Sequence, residues 1–158
     1  MIAKEFETFI LQHLDSYLIP AADLAIFIDT HNSDHVMLLL VSNGFSRVPV
    51  ITKDKVFKGT ISISDILAYK DKHGLTDWEM RLTDIGKMVN TKIAAISHRV
   101  NLTVIMHKLV EFPFLPVVDD KNHFIGIITR KSILKALNSL LHDFTDDYMI
   151  IKKINDDK

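Results

Sequence analysis

Two short stretches hold the residues best suited to chemistry. GTISISD, residues 59–65, sets hydroxyls at Thr60, Ser62 and Ser64 and a carboxylate at Asp65. GIITRKS, residues 126–132, lies 67 residues further on and carries Thr129, Arg130, Lys131 and Ser132. A carboxylate among hydroxyls accepts hydrogen bonds from neighbouring donors, and a guanidinium binds phosphate in a bidentate, charge-assisted way. Each stretch also sits between an apolar run and a helical one, where Ser, Thr and Asp serve as helix caps. The two roles do not exclude each other.

The stretches are two copies of one element. Residues 48–67, VPVITKDKVFKGTISISDIL, fall without a gap on residues 115–134, LPVVDDKNHFIGIITRKSIL. Seven of the twenty pairs are identical, where chance gives about one, so the chain is read as a repeat before any fold is considered. In each copy an apolar, β-branched run (RVPVI, FLPVV), a polar turn (TKDK, DDKN) and a second apolar run form a hairpin. Gly59 and Gly126 fall inside the second strand, where glycine marks either close approach of a ligand or another backbone, or a β-bulge. Helices flank the hairpins. SDHVMLLLVSNG has Ser33 or Asp34 as cap and Gly44 as stop, its partner NLTVIMHKLVEF starts at Asn101, and SDILAYKDKHG and SILKALNSLLHDF follow the hairpins.

Each copy therefore reads strand, helix, strand, strand, helix. Between them TDWE is a capping box that predicts a linking helix from Thr76 to about Met88. An N-terminal helix from about Ala3 to Tyr17 places Phe6, Phe9, Ile10, Leu14 and Tyr17 on one face. The expected segments are 1–17 for that helix, 18–74 and 91–142 for the two motifs, 75–90 for the link and 143–158 for a loosely held or docking tail.

Composition narrows the function classes. At 158 residues and 47% hydrophobic, the chain is one domain or two small halves sharing a core. A net charge of −1 argues against neutralising a nucleic-acid backbone. Without cysteine there is no disulfide framework, thiolate zinc site or cysteine nucleophile. No apolar run reaches the roughly 18 residues of a membrane span, and MIAKEFETFIL lacks the order of a signal peptide, so the expected location is the cytoplasm. The eight histidines are scattered, and the closest pair, His31 and His35, straddles a loop and a helix start, so no metal is expected. No HExxH, P-loop, GxGxxG or Ser-His-Asp order occurs, and no enzyme is expected. Met37 and Met106 read as core filling, and Trp78 as an aromatic packed at a helix start.

The doubled Pro-Val strand, the doubled glycine and the Ser or Thr three residues after it resemble a CBS-domain pair, a Bateman module, over residues 18–140. The first-half stretch IPAADLAIFIDTHNSDHVMLLLVSNGFSRVPV and the closing GIITRKSILKALNSLL are similar, more narrowly, to stand-alone cyclic di-AMP-binding CBS proteins of Gram-positive bacteria. That resemblance implies an α+β fold of two tandem β-α-β-β-α motifs with pseudo-two-fold symmetry, plus the N-terminal helix. It also implies two clefts for adenine nucleotides, each borrowing from both copies.

Carried onto this sequence, the resemblance puts Ala25, Ile26, Phe27, Ile28, Ser46, Arg47, Val48 and Pro49 with Ile128, Thr129, Arg130, Lys131 and Ser132 in one cleft. Ser62, Ser64 and Asp65 fall with Ile96, Ser97, Phe114, Leu115 and Pro116 in the other. Asp65 suits a ribose with both hydroxyls free, as in AMP or ATP. Beside the phosphodiester of cyclic di-AMP its charge would cost on the order of 1 kcal/mol or more. Arg130, with Thr129, Ser132 and a helix N-terminus, suits that phosphodiester. The expected ligand is therefore cyclic di-AMP in the Arg130 cleft, with AMP or ATP as the alternative at Asp65 and no cofactor. The resemblance further implies a homodimer acting as a sensor or adaptor, whose partner is a (p)ppGpp synthetase or a metabolic enzyme such as pyruvate carboxylase. An interaction module with degenerate clefts is the remaining alternative.

Overall fold

The computed structural model describes residues 4–11 and 17–151. Helix α1 (Lys4–Leu11) precedes β1 (Leu18–Pro20). The first half then runs β2 (Phe27–Ile28), α2 (Ser33–Asn43), β3 (Val48–Ile51), β4 (Phe57–Ile61) and α3 (Ile63–His73). A short α4 (Asp77–Arg81) leads to the second half, β5 (Ile96–Ser97), α5 (Leu102–Glu111), β6 (Phe114–Val118), β7 (Phe124–Thr129) and α6 (Arg130–Asp147). Both halves have the expected strand-helix-strand-strand-helix order, and the fold is α+β.

The helix boundaries follow from local chemistry. Asn32, rather than the expected Ser33 or Asp34, caps α2 by accepting from the backbone N–H of Asp34, and Gly44 ends it in the left-handed region. Ser33 is instead buried and donates to the carbonyl of Met80. Asn101 caps α5 as expected. The capping box of Thr76 and Glu79 is formed, but the helix it opens stops at Arg81 rather than continuing to Met88. Beyond it the chain is tied to the first half: the N–H groups of Ile85 and Gly86 donate to the carbonyls of His31 and Asp29. A Cβ on Gly86 would lie 2.9 Å from that Asp29 oxygen, so a continuous helix gives way to a closely packed strap. The expected tail also differs, because α6 continues through Phe144, whose ring packs on Phe6 at 4.8 Å. Of the expected N-terminal face, Ile10 is buried against Leu102, Ala136 and Leu140. Ala3, Leu14, the side chain of Phe9 and residues 152–158 of the tail lie outside the described part.

In each half a parallel pair joined through a helix is followed by an antiparallel hairpin, giving the sheet orders β2-β3-β4 and β1-β7-β6-β5. Val36 and Leu40 of α2 pack with Ile66 of α3 over Val48, Val50 and Ile61. Ile105, Leu109 and Ile133 do the same over Leu115, Val117 and Ile128. The hairpins meet at their tips, where Phe57 N–H donates to the Asn122 carbonyl and Phe124 N–H to the Lys55 carbonyl. The rings of Phe57 and Phe124 stack with centroids 6.0 Å apart.

The halves also exchange backbone. Strand β1 lies antiparallel to β7, with Ile19 opposite Ile127 and Pro20 opposite Gly126. In mirror fashion Thr60 and Asn90 exchange N–H···O bonds of 2.9 and 2.8 Å. These approaches explain the repeated glycine. A Cβ on Gly126 would stand 2.2 Å from the Ile19 oxygen, and one on Gly59 would stand 2.6 Å from the Asn90 oxygen. Both sequence readings hold, since a register shift lies beside each glycine, at Val50/Ile51 and Val117/Val118. Gly126→Ala and Gly59→Ala are each expected to lower unfolding free energy in urea by about 2 kcal/mol or more through overpacking. Gly44→Ala, which faces open space but keeps a positive φ, should cost only about 1 kcal/mol.

Candidate functional site

The junction of β4 and α3 gathers every polar group of GTISISD except the exposed Ser64. Ser62 is the helix N-cap: its Oγ accepts from the Asp65 N–H, while Asp65 Oδ2 accepts from the Ser62 N–H at 2.9 Å and the Ser62 hydroxyl at 2.7 Å. Arg47, one residue before β3, reaches over this box. Its Nη1 donates to Asp65 Oδ2 at 2.8 Å and to Thr60 Oγ1 at 2.9 Å, and its Nη2 to Ser62 Oγ at 3.2 Å. From the strap, the Asn90 amide donates to Asp65 Oδ1 at 2.8 Å. Only 22% of the Arg47 side chain and 14% of the Asp65 side chain reach solvent, where a charge without a partner is costly. Burial pushes the Asp65 carboxyl up. The hydrogen bonds from Asn90 and Ser62 and the Arg47 guanidinium outweigh it and hold the group below the ordinary carboxylate value.

The second-half junction has the same backbone and different chemistry. Thr129 caps α6, accepting from the Ser132 N–H, and Ser132 Oγ accepts from the Thr129 N–H, each at 3.0 Å. At the repeat positions of Arg47, Thr60 and Asp65 stand Phe114, Ile127 and Ser132. Lys131 is exposed. Arg130 turns towards the carboxyl end of α5, with Nε donating to the Leu109 carbonyl at 2.6 Å and Nη2 to the Val110 carbonyl at 2.8 Å. Helix α2 ends on Gly44, but α5 runs into Phe112 and Pro113 without a glycine, so a cation satisfies the carbonyls that helix termini leave open. Beside β5, a cavity of about 150 Å³ is lined mainly by Leu18, Val100, Ile105, Val117 and Ile128, with the exposed Ser97 and His98.

The contacts made by the expected cleft residues fall largely within each half. Arg47, expected with Thr129 and Arg130, is bound to Asp65. Phe114, expected with Asp65, is the strand partner of Thr129, as Val48 is of Ile61. In a two-stranded hairpin the start of the first strand must oppose the end of the second, so each Pro-Val strand flanks the hydroxyl motif of its own half. Phe27 lies beside Val50, and Ala25 packs on the same core, so the segment holding Ala25, Ile26, Phe27 and Ile28 adjoins β3. Ile96 adjoins Val117 in the same way. Val48, Pro49, Leu115, Pro116 and Ile128 are buried, and Ser46 is exposed. Sequence reading missed Asn90; Ile19, which pairs with Ile127 as Asn90 pairs with Thr60, has no side-chain amide to compare. No group of three metal-ligating side chains occurs among the described residues, and no helix among them is long and apolar enough to cross a membrane.

The depressed Asp65 value fixes a pH dependence. A carboxylate whose value is lowered on folding contributes stability above its unfolded value, and that contribution is lost as pH falls through the folded value. Asp65→Asn should therefore be less stable than the parent at pH 7, and the gap should narrow below about pH 4, as followed by thermal unfolding across pH.

Comparison with known proteins agrees with this architecture. The CBS domain profile matches residues 26–72 and 83–139. No curated protein sequence matches the chain. Among solved structures, CbpB from Streptococcus agalactiae is 72% identical with a TM-score of 0.92, covering 96% of each chain. A structure of CbpB in complex with c-di-AMP is 73% identical with a TM-score of 0.84, covering 92% of this chain and 97% of that one. The Listeria monocytogenes CbpB protein, also solved in complex with c-di-AMP, is 29% identical with a TM-score of 0.73, covering 82% and 98%. With two repeats, reciprocal strand exchange and a family match over both halves, the chain belongs to the CBS domain family.

Proposed function

We propose that this chain is a cytoplasmic cyclic di-AMP sensor that acts by binding a partner protein rather than by catalysis. The observation that carries the proposal is 73% identity, over nearly the whole chain, to a CbpB solved with c-di-AMP. The chemistry of the second half is compatible with it. Thr129 and Ser132 present neutral hydroxyls at the N-terminus of an 18-residue helix, and no carboxylate stands at the position of Asp65. Arg130 is held at two atoms by carbonyls, and among the described residues its Nη1 has no hydrogen-bond partner, leaving it for a phosphate oxygen. In this reading Arg130 serves both the α5 terminus and the ligand. Regulation then follows from unequal affinity of the ligand for two states of the module, with a (p)ppGpp synthetase or a metabolic enzyme as the class of partner.

The module is proposed to work as a homodimer. Both halves leave apolar side chains exposed on their paired helices, Val41 and Leu67 in one and Val110 and Leu134 in the other. In the second half they border a groove of about 280 Å³ between α5 and α6. Exposed apolar patches of this kind mark association surfaces. Leu134→Asp should convert the dimer into a monomer in light scattering coupled to gel filtration, and a parent protein that is already monomeric would overturn the dimer.

Titration calorimetry with c-di-AMP tests the ligand. Binding is expected, and its absence would favour an interaction module with degenerate clefts. Arg130→Ala should weaken binding by about tenfold or more, the scale of a lost hydrogen bond to a charged group. Asp65→Asn should weaken it far less, and equal effects would mean that the ligand contacts Asp65 as well.

A further inference from the structure

The first-half junction is chemically complete without a ligand. Asp65 Oδ2 takes three donors at 2.7–2.9 Å, from Ser62 N–H, Ser62 Oγ and Arg47 Nη1, and Oδ1 takes the Asn90 amide. Thr60 and Ser62 also accept from Arg47, and of the motif's polar side chains only the exposed Ser64 stands apart. A ribose with free 2′- and 3′-hydroxyls needs a carboxylate able to accept from both. Here it would have to displace donors that already occupy those oxygens and leave a mostly buried guanidinium without its counter-ion.

We propose that Arg47 is a built-in occupant of this cleft, a specificity residue that holds Asp65 in an internal ion pair and so excludes adenine mononucleotides such as AMP. The second half shows the contrast that gives the proposal its direction. Phe114 and Ser132 stand where Arg47 and Asp65 stand, and among the described residues no charged pair closes that junction. Thr129 and Ser132 bond chiefly to each other and to their own backbone, and both are half-exposed. One junction is closed by an internal ion pair, and the other holds only a neutral mutual cap. The strap takes part in the seal, because Asn90 is fixed by the same backbone exchange with Thr60 that joins it to the first half.

The assignment rests on the nucleotide-binding role proposed above, and the following experiment separates the two. The full chain and its variants are titrated with AMP and, separately, with c-di-AMP in a calorimeter. Arg47→Met, which keeps an aliphatic stem and removes the guanidinium, should bind AMP about tenfold more tightly than the parent, as expected when a charged acceptor is released. The double variant Arg47→Met with Asp65→Asn should lose that gain. Arg47→Lys keeps a cation beside Asp65 but cannot bridge Thr60, Ser62 and Asp65 together, so it should show a smaller gain and serves if Arg47→Met does not fold. Folded Arg47 variants that bind AMP no better than the parent would overturn the proposal. So would a parent protein that binds AMP and loses that binding on Asp65→Asn. Failure of the parent to bind c-di-AMP counts against the proposed ligand alone, since the comparison of AMP binding across variants decides the role of Arg47 by itself.

Discussion

The fold depends on two places where one half presses its backbone against the other. At Gly126 the oxygen of Ile19 comes so close that a Cβ would stand 2.2 Å from it, and at Gly59 the Asn90 oxygen leaves only 2.6 Å. Neither half can be completed alone. The N-terminal strand finishes the second sheet, and the strap after α4 returns to bond Thr60 in the first. Because backbone groups left unpaired in a buried setting are costly, the exchange locks the halves together and sets the distance between their hydroxyl motifs. The hairpin tips, with Lys55 and Asn122 both at positive φ and each accepting from the other half, complete the symmetric frame.

Symmetry of the frame leaves side chains free to diverge, and here they diverge in charge. The first junction concentrates an arginine, a carboxylate, two hydroxyls and an amide in a largely buried network. Such a network is favourable only when every member is satisfied, and the absence of unsatisfied buried side-chain atoms among the described residues meets that condition. The second junction gives up the network and keeps the minimum that a helix start requires, a mutual Thr129–Ser132 cap. Its cation, Arg130, satisfies a helix C-terminus that has no glycine. Two arginines that look alike as additions to a binding motif therefore do different work. One neutralises a carboxylate, and the other satisfies carbonyl dipoles.

Much of the frame was legible in the sequence because it is written twice. The glycines, the Pro-Val strands and the caps Ser62 and Thr129 recur at a spacing of 67 residues, and each reports a backbone constraint that tolerates few substitutes. The side-chain network was not legible. Arg47 and Asp65 are 18 positions apart, and only the register that puts Val48 opposite Ile61 brings them together. Asn90 enters through the strap, where the copies differ. The linking helix was overestimated because a capping box announces a helix start and says nothing of its length. The packing of Gly86 on Asp29 ended it.

The asymmetry also bears on how a module of this kind can signal. A ligand shifts an equilibrium only by its difference in affinity for two states. In the half that holds the Arg47–Asp65–Asn90 network, a ligand would have to displace bonds already made. A half whose hydroxyls bond only to each other and to their own backbone carries no internal ion pair that a charged ligand would have to displace. Strand β1 is bonded to β7, and Ile10 of α1 packs on Leu102 and Ala136. Helix α1 and strand β1 are thus joined to the second half, while the strap is joined to the first.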